Sequence, residues 1–96
     1  MEAQLRIYTI NKGEMDSFLE RFEELFIPLC QRIDAPIIGA WVNRPQNEFI
    51  YALSYRDEAD RIAKTAAFRS EVARLGIDPG QHIARMEVRD TEVAFP

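Results

Sequence analysis

The chain is 96 residues long, enough for one hydrophobic core without disulfide or metal staples. Its net charge of −4 argues against nucleic acid and anionic membrane surfaces as main partners. A single cysteine fits a reducing compartment, no apolar run reaches the roughly 18 residues of a membrane span, and Met1-Glu2-Ala3-Gln4 lacks the features of a signal peptide, so a cytoplasmic location is expected.

Gln4 to Ile10 reads as a strand of β-branched and aromatic residues. Leu5, Ile7 and Thr9 share one face, the expected core face; Arg6, Tyr8 and Ile10 share the other. Asn11-Lys12-Gly13 breaks the pattern, and a helix begins near Glu14, with Glu14 and Asp16 where acids suit the helix dipole. Met15, Phe18, Leu19, Phe22, Leu25, Phe26, Leu29, Cys30 and Ile33 then recur at helical spacing. Pro28 falls inside this stripe and removes one backbone hydrogen bond, so a kink rather than an end is expected there.

Asp34-Ala35-Pro36 closes the helix. Two β-rich runs, Pro36 to Asn43 and Glu48 to Tyr55, flank the polar turn Arg44-Pro45-Gln46-Asn47 and predict a hairpin. Neither run is apolar on one parity only. Ile37, Gly39 and Trp41 oppose Ile38, Ala40 and Val42, while Phe49, Tyr51, Leu53 and Tyr55 oppose Ile50, Ala52 and Ser54. Such strands must be covered on both faces. Helices can cover one; the other needs a partner or a ligand.

Arg56-Asp57-Glu58 opens a second helix that runs to about Leu75, with Gly76 as its stop. Ala59, Ile62, Ala63 and Ala66 form one face, and Phe68, Val72 and Leu75 lie roughly opposite, so either the helix bends near Ala67 or its second half buries a different side. Ile77 to Ile83 is a loop around Pro79-Gly80, and Ala84 to Phe95 is a last strand with a bulge or end near Asp90. The order β-α-β-β-α-β predicts a ferredoxin-like α+β fold: a four-stranded antiparallel sheet with two helices on one face. The open face, expected to carry Arg6, Tyr8 and one parity of the hairpin, is most simply covered by a second copy of the chain.

These residues resemble the NIPSNAP family, a branch of the dimeric α+β barrel superfamily. The resemblance is carried by Leu5-Arg6-Ile7-Tyr8, Gly13 ahead of a helix with Phe18, and Pro28 late in that helix. Ile38-Gly39-Ala40-Trp41, Asn47, Tyr55 and Arg61 complete it. It covers about residues 4 to 75, the last strand being matched by order alone, and implies one dimeric α+β barrel domain over residues 1–96. The family has no securely defined reaction. Related barrels include cofactor-independent monooxygenases, isomerases and haem-degrading enzymes. Family members often carry a histidine and a tryptophan in the third strand, where this chain has Tyr51 and Leu53, so an activity resting on that pair is not implied.

Few residues announce chemistry. His82, the only histidine, lies in Asp78-Pro79-Gly80-Gln81-His82 and reads as a solvated loop residue ahead of a general base. Cys30 sits in an apolar stripe and reads as an inert buried thiol. Ser17, Ser54 and Ser70 lack a nucleophile setting, the acid pairs Glu23-Glu24 and Asp57-Glu58 read as solvated surface, and no phosphate loop or zinc spacing occurs. The exception is the set Arg6, Tyr8, Trp41, Tyr51 and Arg61. Aromatic walls with one or two guanidiniums can take a flat or anionic small molecule, with Arg6, Tyr8 and Tyr51 lining the pocket and Trp41 and Arg61 at its wall or mouth. The other reading has the aromatics filling a dimer core and the arginines paired with carboxylates such as Glu48 or Glu87. The expected function is binding of a small apolar or aromatic ligand in a barrel pocket, with oxygenase or isomerase-type chemistry and no cofactor or metal. The alternative is a non-catalytic homodimeric interaction module.

Overall fold

The computed structural model describes every residue from Met1 to Pro96. Strand β1 (Glu2–Ile10) leads into helix α1 (residues 15–32), followed by β2 (Ile37–Asn43), a 3-10 turn at Arg44–Gln46, β3 (Glu48–Tyr55), helix α2 (Glu58–Leu75) and β4 (Ile83–Glu92). The strands lie in the order β2-β3-β1-β4 and every neighbouring pair is antiparallel. Both helices pack on one side, which makes the fold ferredoxin-like, as the element order predicts.

Helix α1 is α-helical over Met15–Arg21 and Ile27–Arg32 and π-helical over Phe22–Phe26. The Ile27 N–H bonds the Phe22 carbonyl in place of the Glu23 carbonyl of a regular α-turn. This wider turn sits just ahead of Pro28, which has no N–H to give. The helix therefore continues through the proline, and the irregularity expected there takes the form of a π-helical turn. Helix α2 is capped at both ends: the Asp57 carboxylate accepts from the Asp60 N–H at 2.8 Å, and Gly76 adopts the left-handed conformation (φ 66°) that other residues rarely tolerate.

The sheet presents its faces the opposite way from the expectation. Gln4, Arg6, Tyr8 and Ile10 lie beneath the helices, and Leu5, Ile7 and Thr9 lie on the open face. Tyr8 meets the Phe18 ring of α1 edge-on at 6.2 Å between centroids, and the Arg6 guanidinium lies 5.7 Å from the centre of the Phe68 ring of α2. The register decides it. Arg6 stands opposite Tyr51 and Tyr8 opposite Phe49, so these two residues share a face with Phe49, Tyr51, Leu53 and Tyr55, the bulky parity that fills the space under two helices. The aliphatic parity of Leu5, Ile7, Ile50 and Ala52 is left outside.

Three local expectations also change. A register shift between Ile37 and Gly39 separates Ile37, opposite Leu53, from Gly39 and Trp41, which lie on the open face opposite Ala52 and Ile50. In α2 there is no break at Ala67, and the phase of Phe68 and Val72 sets the buried side for the whole helix. Ala59, Ile62, Ala63 and Ala66 consequently face outward, Ile62 being 56% exposed. Finally, β4 stays in register with β1 from Arg85 through Glu92, so there is no bulge near Asp90 and the strand ends at Glu92, short of Phe95.

Candidate functional site

Between the helices and the sheet lies a cavity of about 290 Å³. Arg6, Tyr8 and Tyr51 line it from the sheet, and Phe18, Phe22 and Phe26 from α1. Thr65, Phe68 and Arg69 of α2 complete the opposite wall, and Pro79, Ile83, Met86 and Val88 close one side. The aromatic residues follow from the two patterns that made the fold. The α1 stripe and the bulky β3 parity meet here, with Phe22 4.7 Å from Phe49 and 5.1 Å from Tyr51 between ring centroids. No Asp, Glu, His or Cys lines the cavity.

The polar groups on the sheet side of the cavity, Arg6, Tyr8 and Tyr51, belong to one hydrogen-bonded chain that runs on past the cavity to Gln4 and Asp90. The Tyr8 and Tyr51 hydroxyls are hydrogen-bonded at 2.9 Å, and Arg6 Nη1 donates to Tyr8 Oη at 3.3 Å. Arg6 Nε donates to Gln4 Oε1 at 2.8 Å, and Gln4 Nε2 donates to Asp90 Oδ1 at 2.9 Å. No carboxylate lies within ion-pairing distance of Arg6. Burial pushes the Tyr51 phenol well above its ordinary value, the neighbouring Tyr8 acts in the same sense and Arg6 opposes them. Tyr51 is therefore a hydroxyl, not a base, at neutral pH. The arrangement can donate hydrogen bonds to an acceptor or an anion; it has no side chain placed to remove a proton.

Of the five residues singled out in the sequence, Arg6, Tyr8 and Tyr51 come together, though under the helices rather than on the open face. Trp41 does not join them. Its ring lies on the far side of the sheet over Gly39, where an added Cβ would overlap the Trp41 ring. Arg61 does not join them either: its Nε bonds Glu2 Oε1 at 2.9 Å and its Nη1 lies 3.6 Å from Asp90, so it ties α2 to the edges of β1 and β4. Glu48 and Glu87, the suggested carboxylate partners, bond Asn43 and Arg85 with Arg89 instead. Phe68 and Arg69 were missed, although the phase of Phe68 and Val72 was the signal that could have found them.

The remaining chemical groups lie apart. His82 is not a solvated loop residue. Its side chain is largely buried, at a left-handed backbone position (φ 71°), with Nδ1 2.6 Å from Glu14 Oε1 at the start of α1. Cys30 is buried, and burial pushes its thiol up. No group of three or more His, Cys, Asp or Glu side chains is placed to hold a metal ion, and no helix is long and apolar enough to cross a membrane.

The NIPSNAP family model matches residues 2–92. The chain belongs to the NIPSNAP family. Among solved structures, this NIPSNAP protein is similar to an uncharacterised NIPSNAP domain protein from Burkholderia xenovorans, at 19% identity and a TM-score of 0.86, covering 100% of this chain and 98% of that one. A Nitrosomonas europaea protein assigned to antibiotic biosynthesis monooxygenases has a TM-score of 0.67 at 11% identity, covering 99% and 100%. A dimeric ferredoxin-like protein from an uncultured marine organism has a TM-score of 0.70 at 14% identity, covering 99% and 94%. At these identities the likeness concerns the fold. Among curated proteins, none matches the sequence.

Proposed function

We propose that this NIPSNAP protein binds a small apolar or aromatic molecule in the cavity between sheet and helices, acts as a homodimer joined through its open sheet faces, and works in the cytoplasm. The observation that carries the reading is a partly buried guanidinium, Arg6, held with two phenols inside an aromatic-walled cavity and left without a carboxylate. Small-molecule sites have this composition: mostly apolar walls with a few convergent polar groups. A packed core gains nothing from an arginine there.

The chemistry that fits is the oxygenase or isomerase type carried out without a bound cofactor, in which the protein holds and polarises a substrate that supplies its own reactivity. The resemblance to the N. europaea protein supports this class. A homodimer is supported by the open face, where Leu5, Ile7, Ile50 and the 56% exposed Trp41 form an apolar surface no helix covers. That same surface favours the second reading, a non-catalytic homodimeric interaction module. Ligand-observed NMR with a library of small aromatic and aliphatic compounds separates the two. Compounds competing for one site and lost on Phe68→Trp, which fills the cavity, support the small-molecule reading. A folded protein that binds none of them leaves the module.

A further inference from the structure

We infer that the cavity ligand is a monoanion: an aromatic or branched apolar body between the phenyl rings, with a carboxylate or enolate oxygen on Arg6 and Arg69 attracting it at the opening. The inference rests on the small-molecule reading above and adds the charge and the residues that select it.

Arg6 has five N–H groups, and the protein engages two of them, at Gln4 and Tyr8. Both partners are neutral. The contrast with Arg61 is direct, since that guanidinium meets Glu2, Glu58 and Asp90. Arg69, on the wall facing Arg6, is exposed and makes no ion pair. Two positive charges therefore border a cavity without a single acid, in a chain whose acids outnumber its bases by 16 to 12. Overall charge does not account for that excess. It is local.

A neutral apolar ligand would leave the free N–H groups of Arg6 against hydrocarbon, which is unfavourable. An oxyanion satisfies them, and guanidinium–oxyanion hydrogen bonds are among the strong ones. The face of the Phe68 ring, 5.7 Å from the guanidinium carbon, supports its charge. A dianion such as a phosphate monoester suits the site less well, because only one guanidinium is inside. The absence of a proton acceptor in the lining points the same way: a substrate that must react as an anion has to arrive as one.

The test is isothermal titration of the full chain with benzoate, phenylacetate and 3-methylbutanoate, each beside its uncharged amide. The expected result is that at least one acid binds about tenfold or more tightly than its amide, a gap typical of a charge-assisted contact. Arg6→Gln should close that gap, Arg6→Lys should restore part of it, and Arg69→Ala should weaken the acid about threefold and reduce its salt dependence. Circular dichroism confirms folding, and the exposed Arg69 variant keeps the test open if Arg6→Gln unfolds. Acid and amide binding equally well overturns the anion inference and leaves the small-molecule reading standing. No binding of either series at millimolar concentration overturns both.

Discussion

The hydroxyls of Tyr8 and Tyr51 lie 2.9 Å apart in the protein interior, joining β1 to β3 across the helix-covered face. Tyr8 Oη also takes an N–H from Arg6, so it serves two neighbours and Tyr51 one. Tyr51→Phe should therefore cost about 1 kcal/mol, the usual net worth of such a bond, and Tyr8→Phe should cost more because it also strands a guanidinium N–H. The double variant should cost less than the sum of the two, since they share one bond. Urea unfolding of the four proteins checks this. Equal costs and strict additivity would show that the pair is not coupled.

Phe22 stands at the start of the π-helical turn and is 5% exposed, with Phe18, Phe26, Phe49 and Tyr51 around it. Phe22→Ala should destabilise the protein by roughly 3–5 kcal/mol. That is a large share of the 5–15 kcal/mol available to a small domain. Thermal or denaturant unfolding reads it directly, and a loss below about 1 kcal/mol would place the centre of the core elsewhere.

The elements were legible because their patterns are local. The α1 stripe from Met15 to Ile33, the turn before Glu48 and the stop at Gly76 all depend on neighbours within a few residues. Which sheet face meets the helices was not legible, because β1 and the hairpin are apolar on both parities and polarity alone selects neither. Side-chain bulk was the better guide: Phe49, Tyr51 and Tyr55 share the parity that Arg6 and Tyr8 join through the register. The site followed the same limit. Arg6, Tyr8 and Tyr51 were found because residues on adjacent strands converge. Arg69 was not legible because the rotation of α2 depends on where Phe68 packs, and the bulge that leaves Ile38 unpaired moves Trp41 away from Ile37.

Asp60 provides a pH test. Its carboxylate accepts from the Arg56 N–H at 3.0 Å and the Arg56 side chain at 3.1 Å, with Lys64 at 3.3 Å. The Arg56 backbone bond first, then the two side chains, hold its pKa down from 3.8 to about 2. A carboxylate lowered on folding stabilises the folded state above its unfolded pKa and loses that contribution as pH falls through the folded one. Wild type should thus exceed Asp60→Asn in stability by a constant margin above about pH 4, and the margin should shrink between there and about pH 2. Denaturant titrations across that range decide it; a margin independent of pH would mean that the charge of Asp60 is not what matters.

The open face makes the most exposed claim. Trp41 is the only tryptophan, lies over Gly39 and is 56% exposed in the single chain. Pairing two such faces would bury it against the other copy along with Leu5, Ile7 and Ile50. Light scattering should then give about twice 11.1 kDa, and Trp41 fluorescence should shift to the red on dilution as the copies part. Ile7→Glu, which puts a charge opposite Ile50, should yield a folded monomer whose emission is already red-shifted. Gly39→Val should displace the Trp41 ring, because its added Cβ would overlap that ring, and weaken the dimer while leaving the Phe22 cluster intact on the other side of the sheet. A wild-type mass of 11.1 kDa at micromolar concentration, with the emission of a water-exposed indole, would refute the homodimer and leave this face without an occupant.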